Sequence, residues 1–316
     1  MIISGQRIYY HELKQINMII NDAKELRELT GSYYANNDFS KIAGDIELAT
    51  EELEKIVGSA LIARLEKFKS EDADLLRKVQ RPVAILATLR LYQKNDLSHE
   101  DDGRKIKTAT DGSEKTPWEW QLDRDDAMHL EEYYRATDTL IRYLDANNIP
   151  EWVNTPACQE RQKLIIRNAE QLDRYCFIDK SERTYMLLVP FLREAQRAKV
   201  KRAYGMKWTD LLKEPLQPES DAHYAACMAV SLLAMSTALR RLPLHLIPGG
   251  VVRQFMSKNG MGDSHPASLA DVEKVSAWLS QDAAYWIDEM KKARDGGQLD
   301  YSLLPQNDPR NKYCRL

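Results

Sequence analysis

The sequence predicts an all-α protein made of two tandem helical repeats of about five helices each, related by internal duplication, with little or no strand. Three observations predict it. The stretch IINDAKEL at 19–26 returns as IIRNAEQL at 165–172, with Ile19, Ile20, Ala23 and Leu26 matching Ile165, Ile166, Ala169 and Leu172 at an offset of 146. At an offset of 147, residues 53–104 place Gly58 on Gly205, Leu65 on Leu212, Asp74 on Asp221, Val83 on Val230, Leu86 on Leu233, Ala87 on Ala234, Leu97 on Leu244 and Gly103 on Gly250. Composition alone gives roughly three or four identities over such a span. Finally, apolar residues recur along both halves at three- and four-residue spacing, the period of an amphipathic helix.

Each element follows from its residues. The first helix is LKQINMIINDAKELREL, with Leu13, Ile16, Ile20, Ala23 and Leu26 on one face. The second is SKIAGDIELATEELEKIV in the first copy and SERTYMLLVPFLREAQRAKVKRAY in the second. Each is followed by a glycine, Gly58 or Gly205, where a left-handed cap is needed. Gly44 and Pro190, one position apart when the copies are aligned at 147, weaken these helices, one through backbone entropy and one through a missing amide donor. A short third helix (SALIARLEKF; MKWTDLLKE) leads to a long apolar fourth, DADLLRKVQRPVAILATLRLY and SDAHYAACMAVSLLAMSTALRRL. The fifth is RDDAMHLEEYYRATDTLIRYLDAN in the first copy and SLADVEKVSAWLSQDAAYWIDEMKKA in the second, where Ser268 is the expected N-cap. There Leu140-Ile141 meets Trp286-Ile287, with the offset back at 146. Between the fourth and fifth helices each copy has a polar connection long enough to hide a short hairpin. The expected organisation is repeat one over 1–150, repeat two over 151–294, and an extended tail, 295–316, that a neighbour would order.

Bulk properties narrow the function. With 316 residues, 43 % apolar and 29 % charged, the chain has the composition of a globular protein. A formal net charge of −3 supplies no global attraction to nucleic acid or anionic membrane. Cys158, Cys176, Cys227 and Cys314 form no CxxC pair, which suits a reducing compartment. MIISGQRIYYHELKQ lacks the apolar core of a signal peptide. The uncharged run 224–239 has 16 residues, short of the roughly 20 that span a bilayer, and is expected to be a buried core helix. A cytoplasmic protein without a membrane role is expected.

No cluster specifies a chemistry, so no enzyme and no cofactor is expected. Gly262-Asp263-Ser264-His265 has the letters of a GDS hydrolase block but not its context after an N-terminal strand. His223 and Cys227, four apart on a helix, have ligand spacing; with no second such pair, core packing is expected and no metal. Two features suit partner binding instead. Trp118 and Trp120 stand in a polar stretch where an indole can face outward as an anchor. The second helices carry opposite charge: Asp45, Glu47, Glu51, Glu52 and Glu54 in the first copy, against Arg193, Arg197, Lys199, Lys201 and Arg202 in the second. Complementary faces on two copies of one module can join subunits head to tail.

SERTYMLLVP, with the glycine-terminated helix leading to WTDLL, resembles a protein family of unknown function from Bacteroidetes genomes and their prophages. EKIVGSALIARL, LLRKVQRPVAILATLRLY and SHEDDGRK are similar in pattern to helical head–tail connector (adaptor) proteins of tailed phages. The resemblance implies a structural protein that packs beside a portal or neighbouring subunits, with possible self-assembly and possible DNA contact, in the bacterial host and the virion. The two modules here depart from the single module of simple connectors. The alternatives are a nucleic-acid-binding helical module and a cytoplasmic enzyme with a site between the repeats.

Overall fold

The computed structural model describes residues 18–31, 38–67, 72–96, 98–100, 103–105, 118–214, 219–242, 244–247, 250–253 and 268–296. The chain divides into two units, Met1–Trp152 and Val153–Leu316. Both are helical, and they repeat one another element by element.

In the first unit, α1 (Ala23–Thr30), α2 (Ser40–Val57), α3 (Ser59–Lys67), α4 (Ala73–Asn95) and α5 (Glu119–Ala146) follow in order. The long α4 is the hub, with α1, α2 and α5 packed on it. Its buried positions, among them Leu75, Val79, Val83 and Ala87, face those neighbours, and Pro82 is buried with them. Gln80 fixes the entry to α1: its Nε2 donates to the Ile19 carbonyl at 3.0 Å and to Glu25. Arg64 on α3 bonds Asp72 ahead of α4 and Glu151 in the one-turn α6 (Pro150–Val153).

The second unit runs α7 (Pro156–Arg161), α8 (Ala169–Asp173), α9 (Glu182–Ala195), a π-helical turn (Gln196–Val200), α10 (Lys201–Tyr204), α11 (Trp208–Leu211), α12 (Asp221–Arg241) and α13 (Leu269–Arg294). Here α12 is the hub, lying along α13 and against α9. Its small residues let α13 approach closely: Ser236 and Ser276 each donate to the other's carbonyl at 2.9 Å. By length and composition α12 could cross a membrane, but its window is 67 % buried inside the unit, as the 16-residue run predicts for a core helix.

The duplication extends to the caps. Asp22 accepts from the Glu25 amide and Asn168 from the Gln171 amide, both at 2.8 Å and both at an offset of 146. Each satisfies an amide that the first turn leaves unpaired. Gly58 and Gly205 end the equivalent helices with φ of 91° and 86°. Their ψ values of 146° and −150° differ from the left-handed helical cap expected and lie in a region essentially reserved for glycine.

A jump in the offset has a structural cause. Up to the middle of the second helix the buried positions match at 146: Ile42 with Leu188, Ile46 with Leu192, Ala49 with Ala195. Beyond it they match at 147: Leu53 with Val200, Val57 with Tyr204. The extra residue falls between Ala195 and Val200, where the backbone widens into the π turn. A π turn absorbs one inserted residue without rotating the helix that follows, so both flanks keep their buried faces. Gly44 and Pro190 therefore coincide, rather than standing one position apart.

The polar connections do hold hairpins. Antiparallel β1 (Ser98–Glu100) and β2 (Gly103–Lys105) pair Glu100 with Gly103; β3 (Leu244–Ile247) and β4 (Gly250–Arg253) pair Ile247 with Gly250. The two closing pairs are again 147 apart. Residues 297–316 and 262–265, which carry the expected arm and the GDS letters, lie outside the described residues.

Candidate functional site

The residues singled out for partner binding are surface residues. Trp118 is 72 % exposed and Trp120 57 % exposed at the start of α5. The Trp118 amide donates to Gln121 Oε1 at 2.9 Å, so a local bond sets the backbone from which this indole projects.

Arg193, Arg197, Lys199, Lys201 and Arg202 are all exposed along α9, the π turn and α10. Arg193 has a partner, Glu160, at 3.1 Å, and the pair holds the Glu160 carboxyl below its usual range together with Lys163, the larger cause. Among the described residues, Arg197, Lys199, Lys201 and Arg202 have no side-chain hydrogen bond or ion pair. The π turn also changes their alignment. Arg193 and Lys201 correspond to Glu47 and Glu54, seven α-helical positions apart, which puts them about 20° apart around the axis rather than the about 80° of an unbroken eight-residue spacing.

The acidic face of α2 is narrower than the sequence suggests. Asp45 is buried and bonded to Lys94, and Glu52 is paired with Lys55 at 3.0 Å. Asp45 does not belong to the charged face that the sequence predicts, because the core stripe Ile42, Ile46, Ala49, Leu53 passes beside it. What remains is Glu47, Glu51 and Glu54, none with a side-chain partner among the described residues.

A second constellation is buried in the other unit. His223 and Cys227 are 2 % and 1 % exposed on α12, packed in the core as the sequence reading expected. They are joined by Glu219, just ahead of the N-cap Ser220, and by Tyr175 after α8. Tyr175 Oη donates to Glu219 Oε1 at 2.6 Å, and His223 Nδ1 lies 2.8 Å from the same oxygen. Cys227 Sγ is 3.7 Å from the same ring nitrogen. Burial pushes both the Cys227 thiol and the Tyr175 phenol far above their usual values. The aromatic rings of Tyr175, Tyr224 and Trp286 stack edge to face alongside.

This arrangement is not a nucleophile with its base. In a thiol–imidazole–carboxylate relay the thiol and the carboxylate use different ring nitrogens. Here both face Nδ1, and the thiol is held protonated. Sequence reasoning paired His223 with Cys227 but missed Glu219, although Glu-x3-His-x3-Cys was readable, because Glu219 precedes the helix. Tyr175 carried no local signal.

No curated protein and no solved structure matches the chain. A family model matches residues 29–162 and 195–312, a segment in each half of the duplication, and the chain belongs to this family of unknown function (DUF6712).

Proposed function

We propose that the chain is a non-enzymatic structural or assembly protein of a phage or prophage particle, resembling a head–tail connector and working through docking faces. It would be made in the cytoplasm of a bacterial host and carried into the virion. The observation behind this reading is the inversion of charge on one duplicated helix. Glu47 and Glu54 stand where Arg193 and Lys201 stand in the other copy, and Glu52 where Lys199 stands. Charges of opposite sign on equivalent helices suit head-to-tail contact between subunits, or contact with a portal of matching charge, and Glu47, Glu54, Lys199 and Lys201 have no side-chain partner among the described residues. Exposed ion pairs contribute only about 0–1 kcal/mol each, so the affinity would come from apolar anchors, for which Trp118 and Trp120 are the candidates.

The test is solution mass by light scattering, for the chain alone and mixed with a cognate portal protein. The expected result is a higher-order assembly in one of the two samples. Its loss in Arg197→Glu/Lys201→Glu, and its recovery on mixing with Glu47→Lys/Glu54→Lys, would identify the faces. A monomer that ignores the portal at high concentration would overturn the reading.

The four unpaired cations also favour a second reading, a helix that binds nucleic-acid phosphate. Four contacts predict log K falling against log salt with a slope of about −3 to −4. Absence of DNA binding at low salt removes this alternative.

A further inference from the structure

We propose that Glu219, His223 and Cys227 form a binding site for one divalent transition-metal ion of the zinc class, with the Tyr175 hydroxyl as its supporting hydrogen-bond partner. Nothing in the assembly role requires this site, and the two proposals fail independently.

Three arguments carry it. The donors are a carboxylate oxygen, an imidazole nitrogen and a sulfur, a set that suits zinc. One ligand atom from each lies within 4.8 Å of the other two. Around a tetrahedral ion with zinc's bond lengths, such donors stand about 3.4–3.6 Å apart. Nδ1 to Sγ, at 3.7 Å, is already there, and Nδ1 to Oε1, at 2.8 Å, must open by a fraction of an ångström. That oxygen belongs to a side chain ahead of the helix, which can move without disturbing a helical turn.

The duplication supplies the second argument, because it shows what the fold requires at these positions. The equivalents of Glu219, His223 and Cys227 in the first unit are Asp72, Leu76 and Gln80. Gln80 does structural work there, holding the Ile19 carbonyl ahead of α1. In the second unit that work has moved to Gln196 in the π turn, whose side chain accepts from the Ile165 amide at 2.8 Å and donates to the Lys163 carbonyl at 3.0 Å. The position of Cys227 is thus released from the task its counterpart performs. The same helix–helix scaffold stands with a leucine in place of His223, so the imidazole and thiol are not demanded by packing.

The third argument is the shell. A ligating carboxylate is usually fixed by an outer hydrogen bond. Tyr175 Oη donates to Glu219 Oε1 at 2.6 Å, and Tyr175 itself is held by the Tyr224 ring, 5.7 Å between centroids. Binding balances as follows: the thiol proton of Cys227 leaves to solvent, the ring proton that Nδ1 shares with Glu219 is given up and replaced by one on Nε2, so the imidazole stays neutral, and Nδ1, thiolate and carboxylate take the ion.

The experiment uses the full chain stripped with chelator, then titrated with Co2+ and, in competition with a chromophoric chelator, with Zn2+. The expected result is one equivalent of Co2+ with thiolate-to-metal charge-transfer absorption, displaced by Zn2+, and a Zn2+-dependent rise in Tm. Cys227→Ser should abolish the charge-transfer band while keeping the far-ultraviolet circular dichroism of the wild type. Glu219→Gln should weaken binding at least tenfold, and Tyr175→Phe by about 10–100-fold. Should Cys227→Ser misfold, Glu219→Gln carries the test alone, since its position ahead of α12 leaves the core intact. The proposal is overturned if the wild type gives no cobalt–thiolate band, or if stoichiometry and affinity are unchanged in Cys227→Ser or in a folded Glu219→Gln.

Discussion

Removing one residue from a buried helix normally ruins it, and the π turn offers a place where it should not. Deleting Ala198, an exposed residue inside Gln196–Val200, returns the turn to α-helical winding. Val200, Tyr204 and the Gly205 cap then keep their orientation, because the extra residue was absorbed locally. The control is deletion of exposed Glu51 in α2, where no π turn exists. Everything after it turns by about 100°. Leu53 and Val57, each 0 % exposed, then leave the core. At roughly 1.5–3 kcal/mol for each such side chain, that loss is about 3–6 kcal/mol, before any cost of the displaced Gly58. Deletion of Ala198 should cost under about 1.5 kcal/mol, since it removes only one exposed side chain and its local backbone bonds. Urea unfolding followed by circular dichroism, with hydrogen exchange to assign each transition to its unit, measures both. Equal damage from the two deletions would refute the idea that the π turn houses an insertion.

Further outcomes follow from single sites. Gly205→Ala should destabilise the second unit by about 1–3 kcal/mol, because φ of 86° with ψ of −150° suits only glycine; thermal unfolding measures it. Asp173 accepts from the Ile178 and Lys180 amides at 2.8 and 3.2 Å, which holds its carboxyl below the ordinary value. Its contribution is therefore present above the unfolded-state pKa and lost as pH falls through the lower folded-state pKa, so Asp173→Asn should flatten the acid limb of a stability–pH curve. Burial pushes the Cys176 thiol up to about 11, so its alkylation near pH 8 should run about a hundredfold slower than that of a free thiol, as peptide mapping would show. Ser220→Ala removes the Oγ that accepts from the His223 amide at 3.1 Å and should cost about 1 kcal/mol in unfolding free energy.

Much of the architecture was legible because it is local. Helical periodicity, cap residues and glycine stops are written within a few residues of where they act, and duplication writes them twice. Gly58 and Gly205 announce the same helix stop in both copies, whereas the periodicity that carried a first helix back to Leu13 hid the Asp22 cap, which starts that helix at Ala23 and leaves residues 18–22 non-helical. Even the insertion left a trace, the step in offset from 146 to 147, though only the backbone shows that a π turn absorbs it.

Charge and chemistry were less legible. Asp45 reads as one more acid on an acidic helix, yet its place beside the core stripe buries it against Lys94. Tyr175 and Glu219 are 44 residues apart, and the apolar pattern around each carries no information about the other. Sequence by itself determined that the chain is mainly helical, where the second helices stop and that the set occurs twice, since those depend on the spacing of neighbours along the chain. Tertiary structure alone decided which polar groups meet inside, because that depends on how one helix lies against another, and a repeating apolar stripe fixes the face that packs without fixing the partners it brings together.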